Sequence, residues 1–337
     1  YLASHLRYML KEEASFAVNE IPSDAEVTFN LGDGTVETVK GSASVSHRYT
    51  TAGDYDVTAT WGDGQKLEKT IRVYPLLALS VAMEQFKDPQ YKKIWVMAHR
   101  SHTTDPTVPE NSCAAVRAAV TAGVEIVELD TRLTSDGYVV VCHDETVNST
   151  TTGNGKICDL TLAQIKSFNM KDRKGNETKE KMPTLEEYLK EARGKVYVNM
   201  DYSPRDASSA QVYEVVRKLD MLEQVFFYCN TAEKAEECFE LNPLCHVYPW
   251  YTQYKVLEGH PWTYFVQGSA TSSNMDVAVG AGAILSLCMR SVVGDGNAYS
   301  LSIDEVDDIF TNHPDTKMLQ TDTPAELIVE LSARGRR

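Results

Sequence analysis

Two histidines in this sequence are each followed by a charged residue, as His99-Arg100 and His143-Asp144. An imidazole gains and loses its proton near neutral pH, so such a pair can remove a proton at one end of a reacting bond and supply one at the other. Glu128 and Asp130 lie between them, two residues apart. On a strand that spacing points both carboxylates to one face, where they repel unless positive charge sits between them. Asp201, two beyond Asn199, offers a third acid, and Glu110 lies close enough to join the same rim. Oxygen ligands of this kind suit one hard divalent cation, Mg²⁺ or Ca²⁺. The acids could instead pair with Arg100 and other basic groups; three of them beside two histidines favour the metal. The planar fork of Arg100 fits two oxygens of a phosphoryl group. Together these residues suit phosphoryl transfer, with cation and guanidinium absorbing charge while the histidines move protons.

Something must bring these positions to one place. Apolar runs at residues 94–98, 124–130, 195–201, 225–229, 245–248, 263–266, 283–287 and 318–321 read as strands, with 138–142 as a local return. Helical patterns at 111–122, 184–191, 207–219, 232–241, 303–310 and 324–331 separate nearly all of them. Eight parallel strands in about 245 residues predict an α/β fold, a (β/α)₈ TIM barrel, whose chemistry collects at the C-terminal strand ends. The alternative, an open doubly wound sheet, lacks its GxGxxG turn after the first strand. His99, Arg100, Glu128, Asp130, His143 and Asp201 all fall at such ends.

The first 75 residues have a different rhythm. Short strand-like runs at 26–31, 44–49, 55–61 and 69–74 are divided by the turns Gly32-Asp33-Gly34 and Gly62-Asp63-Gly64. They predict a small N-terminal all-β, immunoglobulin-like sandwich, with Asp33 and Asp63 shaping turns rather than binding metal. The expected domains are therefore 1–75, a helix-bearing linker at 76–93, and a barrel at 94–337. Of the 337 residues 42% are hydrophobic and 24% charged, the balance of a folded globular chain, and the net charge is −15. That charge argues against nucleic acid and anionic membrane as partners, and it means an anionic substrate needs a local reversal of field. No run reaches the ~18 apolar residues of a membrane span. Seven cysteines without a CxxC pair read as buried free thiols, with a disulfide open if the protein is exported. The sequence opens on Tyr1, as a trimmed or mature form does, with no leader in view.

The run FNLGDG followed by SHRYTTAGDYDVTATWGDG resembles a PKD-type module. That resemblance implies an extracytoplasmic protein (periplasmic, cell-surface or secreted) and a module able to contact a cell-surface glycan or a protein. The later segments MAHR…PENS, GVEIVELDTRLTSDGYVVVCHDETV, TTTGNGKICDLTLAQIKSF, MPTLEEYL and QTDTPAELIVEL resemble the glycerophosphodiester phosphodiesterase family. The resemblance covers nearly all of residues 94–331. It implies a TIM barrel that hydrolyses a small-molecule glycerophosphodiester to glycerol phosphate and an alcohol. His99 and His143 match the family's catalytic pair, Arg100 its phosphate contact, Glu128 and Asp130 its metal ligands, and Asp201 of NMDYS its further acidic ligand. Glu110 matches the glutamate bordering that metal. The resemblance also implies a neighbouring glycerol hydroxyl as the attacking group, and it favours His99 as first base and His143 as acid, roles that the residues themselves leave interchangeable.

Several positions depart from the pattern. Ser101 replaces a glycine and a longer loop, residues 101–108, precedes PEN. Ser149 stands in place of an arginine and Ser203 in place of a lysine, and the tryptophan-centred element before the last strand is replaced by LSLCMRS. Two cations that usually face the ligand are thus absent, with His102 and Arg290 as the substrate-binding residues that compensate. A different head group, a phosphate-linked glycan, or a non-catalytic binding protein on the same barrel are the rival readings.

Overall fold

The computed structural model describes residues 1–203, 205–260, 265–269, 272–289 and 303–337. Alternation builds its N-terminal part: in Glu26–Asn30 the side chains of Val27 and Phe29 are buried while Glu26 and Asn30 face solvent. The strands are β1 (Leu2–Ala3), β2 (Arg7–Leu10), β3 (Ala14–Val18), β4 (Glu26–Asn30), β5 (Val36–Lys40), β6 (Val45–His47), β7 (Gly53–Trp61) and β8 (Gln65–Leu77). They form two sheets, in the orders β1-β3-β6 and β2-β8-β7-β4-β5. Phe16, Phe29, Tyr49, Val57 and Ile71 pack between them. Asp33 shapes a turn: one oxygen accepts from the Thr35 amide at 3.0 Å and the other meets His47 Nε2 at 2.7 Å.

Strand β8 leads into a short helix, α1 (Leu79–Glu84), and a 3₁₀ turn, Gln85–Lys87. Leu79, Ala82, Met83 and Phe86 from this stretch pack against the interior residues Trp95, Tyr197 and Phe265. The ring centroids of Phe86 lie 5.2 Å from those of Trp95 and Phe265, edge-on to both. The segment thus closes the floor of the barrel.

The barrel strands are β9 (Trp95–Ala98), β10 (Ile126–Leu133), β12 (Tyr197–Asp201), β13 (Val225–Cys229), β14 (His246–Pro249), β15 (Phe265–Ser269), β16 (Ile284–Cys288) and β17 (Thr316–Thr321), with β11 (Val139–Val141) returning antiparallel on β10. Their parallel order is β14-β13-β12-β10-β9-β17-β16-β15, and one bridge, Trp250 to Gln267, nearly closes the ring. Residues 263 and 264 of one expected strand lie outside the described residues. The other strands fall within a few residues of their expected positions. Helices α2 (Cys113–Ala122), α3 (Leu162–Ser167), α4 (Leu185–Ala192), α5 (Ser209–Lys218), α6 (Ala232–Leu241), α7 (Asp276–Gly280), α8 (Ile303–Asn312) and α9 (Pro324–Ala333) complete the chain. Ser112 caps α2 by accepting from the Ala115 amide, and Gly123 ends it in a left-handed turn at φ 84°.

Strand parity explains why the chemistry sits where it does. Val127 and Leu129 of β10 join the apolar layer under the helices, beside Val116 and Ala119. Ile126, Glu128 and Asp130 therefore face the other way, into the barrel. The floor of the interior is apolar, with Trp95, Ile126, Tyr197, Phe226, Phe265 and Met318. Two residues further along the strands it becomes polar, with Glu128, Asn199, Gln267, Ser286 and Gln320 all buried. All seven cysteines are free thiols, five of them buried.

Candidate active site

The polar mouth of the barrel opens into a cavity of about 290 Å³ lined by His99, Arg100, Glu128, Asp130, His143 and Asp201, together with Asn199, Arg205, Tyr228 and the Gln267–Cys288–Gln320 group. Register brings the acids together. Asp130 pairs with Asp201 and Glu128 with Asn199 across the parallel β10–β12 ladder. Glu128, Asp130 and Asp201 each offer an oxygen within 4.8 Å of the others. Glu128 and Asp130 are 3% and 1% exposed, too deep for water to screen their repulsion. Burial, with Asp130 and Asp201 alongside, holds Glu128 well above the usual carboxylate range. The same burial and Asp130 push Asp201 up to about 7 in spite of Arg205.

A hard cation fits this arrangement. Asp201 Oδ1 and Asn199 Oδ1 are buried and have no hydrogen-bond partner among the described residues. Three crowded carboxylates, with one carboxylate oxygen and one amide oxygen unsatisfied, are a donor set that Mg²⁺ or Ca²⁺ takes. Part of the charge is already met: Arg205 Nη2 reaches Asp130 Oδ1 at 2.5 Å and Asp201 Oδ2 at 3.3 Å. Asn111 Nδ2 donates to Asp130 Oδ2 at 2.9 Å, and the Arg100 amide donates to Glu128 Oε2 at 2.6 Å. Arg100 and Ser101 adopt left-handed backbone, at φ 49° and 55°, in the tight turn that aims this amide.

The two histidines are held differently. His99 Nδ1 lies 2.8 Å from Asp322 Oδ1, and His102 Nδ1 lies 2.6 Å from the same oxygen. The second ring nitrogen of His102 meets Glu110 Oε2 at 3.1 Å, and Glu110 also faces Arg100 Nη1 at 3.3 Å. Burial lowers His99, outweighing Asp322 beside it. Burial also opposes charge on His102, but the flanking Asp322 and Glu110 carboxylates reverse this and raise it. Asp322 is held far below the carboxylate range, its burial outweighed by bonds from His102 and His99. His143 is more open, about one-third exposed, with Nδ1 at 2.9 Å from Asp144 Oδ1. Ser149 Oγ donates to the other Asp144 oxygen at 2.6 Å. The His143 carbonyl accepts from Arg205 and Arg132, which pins its backbone to the acid cluster.

The structure thus gathers His99, Arg100, Glu128, Asp130, His143 and Asp201 around one cavity. Glu110 stands beside Arg100 rather than among the three grouped acids. With both ring nitrogens of His102 on protein carboxylates, a direct bond to substrate would have to displace one of them. Arg290 lies outside the described residues. Three contributors escaped the sequence reading. Asp322 sits just past the end of the last strand, where the strand-end rule would have found it. Asn111 and Arg205 come from loops, and no periodicity announces which way a loop side chain turns.

Residues 99–259 match the family model described as glycerophosphoryl diester phosphodiesterase family, and residues 5–72 match the PKD domain. A human glycerophosphodiester phosphodiesterase 1 is 45% identical over 102 residues, 29% of this chain and 30% of that protein. A glycerophosphodiester phosphodiesterase of Caldanaerobacter subterraneus is 44% identical over 96 residues, 28% of this chain and 39% of that one. The chain thus spans about a third of the length of these curated relatives. In fold it resembles a glycerophosphoryl diester phosphodiesterase from Parabacteroides distasonis, with TM-score 0.64 at 20% identity over 75% of this chain and 90% of that one. It also resembles an Oleispira antarctica phosphodiesterase solved with the product sn-glycerol-3-phosphate, with TM-score 0.58 at 20% identity over 71% and 96% of the two chains. The match to the glycerophosphoryl diester phosphodiesterase family thus spans residues 99–259 of the barrel, behind a match to the PKD domain over residues 5–72, and the barrel fold is shared with the solved phosphodiesterases.

Proposed function

We propose that the barrel hydrolyses a glycerophosphodiester to glycerol phosphate and an alcohol. The observation that carries this reading is the convergence of two histidines, an arginine and three crowded carboxylates on one cavity of about 290 Å³. Glu128, Asp130 and Asp201 would hold one divalent cation, Mg²⁺ or Ca²⁺, with Glu110 bordering it. When bound, such an ion supplies positive charge against the non-bridging phosphate oxygens. Arg100 clamps the same phosphoryl group with its planar fork.

His99, its ring fixed by Asp322, takes the proton of the glycerol hydroxyl next to the phosphate as that oxygen bonds to phosphorus. His143, oriented by Asp144 and in turn by Ser149, gives a proton to the alkoxide as its bond to phosphorus breaks. Water then opens the resulting cyclic phosphate with the two roles exchanged. A tethered hydroxyl avoids the entropy of capturing a separate water, an advantage that reaches roughly 7–11 kcal/mol in well-oriented cases. The PKD domain supports an extracytoplasmic location and a contact with a surface glycan or protein.

Phosphorus NMR of a glycerol diester in ¹⁸O-labelled water tests the route. A transient five-membered cyclic phosphate is expected, and His99→Gln or His143→Gln should slow turnover on the order of 10²–10⁴-fold. Equal rates for diesters with and without the neighbouring hydroxyl, and no cyclic species, would exclude internal attack. Full turnover in both histidine variants would remove the acid–base assignment itself.

A further inference from the structure

A second cavity, of about 540 Å³, adjoins the first at Arg100, which lines both. Its other walls are Glu110, Asp144, Ser149, Thr150 and the segment Lys171, Asp172, Arg173, Lys174 and Gly175. The acids in this wall are each engaged by the protein. Glu110 faces Arg100 and His102, and Asp144 meets His143 and Ser149. Asp172, only 8% exposed, accepts from the Lys174 and Asn176 amides at 2.9 and 2.8 Å and from Asn176 Nδ2 at 3.0 Å.

The cations are in the opposite condition. Among the described residues, no carboxylate lies within 4 Å of the charged groups of Lys171, Arg173 or Lys174, although Lys171 Nζ donates to the Asn148 carbonyl at 3.1 Å. The segment that carries them is held firmly. The Lys171 amide donates to the Thr150 carbonyl at 2.8 Å, and the Arg173 amide donates to the Pro106 carbonyl at 3.0 Å, on the lengthened loop after His102. Gly175 completes the tip at φ 85°, a left-handed turn that favours glycine. In a chain of net charge −15, this anchored segment carries three cations beside the cavity, Arg173 and Lys174 exposed to solvent and sharing the field of Asp105 on the neighbouring loop.

We infer that this cavity binds an anionic group carried by the leaving alcohol, so that the chain prefers diesters whose head group bears a phosphate or a carboxylate. The side of the molecule follows from the proposed function, on which this inference rests. The second cavity shares Asp144 and Ser149 with the assembly that orients His143, the acid for the leaving alkoxide, and His99 does not line it. The head group therefore leaves toward Lys171, Arg173 and Lys174. It also accounts for Ser149 in place of an arginine: the cations that face the ligand come from the neighbouring segment.

Four glycerol diesters of equal length decide it, with head groups ending in phosphate, in carboxylate, in hydroxyl and in a quaternary ammonium. The intact chain should give the highest kcat/KM on the anionic members and the lowest on the ammonium, and the preference should shrink as salt rises. In Arg173→Gln/Lys174→Gln the ratio of kcat/KM for anionic over hydroxyl head should fall roughly fivefold to tenfold, through KM. An unchanged ratio, or an intact chain that prefers the ammonium, overturns the inference while leaving the phosphodiesterase reading in place. If none of the series is turned over, that reading fails, and direct binding still judges the cavity. A phosphate-bearing alcohol should bind the intact chain roughly fivefold or more tighter than the double variant, and equal binding overturns the inference. The phosphate and carboxylate members, compared with each other, show which anion the cavity selects.

Discussion

Asp322 holds two imidazoles on one oxygen, so its charge sets the orientation of both His99 and His102. Replacing it by asparagine keeps the shape but removes the anion and offers a donor to one ring. We expect Asp322→Asn to lower kcat about 10²-fold with little change in KM, since under the proposed roles it disturbs the ring that moves the proton and leaves the phosphate clamp intact. An unchanged kcat in steady-state assays would show that Asp322 is only structural. The acid cluster gives a second expectation. Mg²⁺ or Ca²⁺ at about 100 times its Kd should raise the stability of the intact chain by about 2.7 kcal/mol, and Asp130→Ala should abolish that gain in thermal melts. Stabilisation that persists in the variant would place the ion elsewhere. At this scale the strand-end residues were legible because strand parity fixes where they point. Arg205 was not: it lies four residues past Asp201, in a loop whose direction only tertiary packing decides.

Among the elements, α1 shows how a piece outside the barrel is tied to it. The Ser80 amide, near its start, donates to Glu223 Oε2 at 2.8 Å, and His246 Nε2 approaches the same oxygen at 3.5 Å. Burial pushes Glu223 up, but His246 and the Ser80 amide more than reverse this and hold it below the usual glutamate value. A carboxyl lowered by folding contributes stability above its unfolded value, and the contribution is lost as pH falls through the folded one. Glu223→Gln should therefore cost about 1–3 kcal/mol at pH 7 and flatten the loss of stability below about pH 4.5. Denaturant titrations across that range check it; an acid limb as steep as in the unmodified chain would assign the effect to other carboxylates. The barrel strands were readable because alternating strands and helices repeat the same length and pattern. Strands β1 and β2 were not, since they have two and four residues, too few for alternation to register.

Across the whole molecule, the sandwich is seated on the barrel by a small set of contacts. The Leu6 amide donates to Asp220 Oδ2 at 3.2 Å, with His5 and Arg7 each 3.8 Å from that carboxylate. Tyr74 of β8 packs over Gly194, where any side chain would collide with its ring. Asp220→Ala should loosen this seat by about 1 kcal/mol and speed amide exchange at Leu6. Turnover should be unchanged, because Asp220 belongs to the barrel floor side and not to the cavity; a matching loss of kcat would mean the two ends are coupled. The parallel pairing of β2 with β8 has a mechanical consequence. Arg7, Tyr8 and Met9 align with Arg72, Val73 and Tyr74, and β8 runs on into α1. Tension between the chain ahead of β2 and the barrel pulls parallel neighbours from opposite ends, so their hydrogen bonds are loaded together in shear instead of opening one by one. A pull on this molecule is therefore borne by the sandwich and delivered to the floor through α1, and the rim that holds His99 and His143 lies at the far end from the line of force.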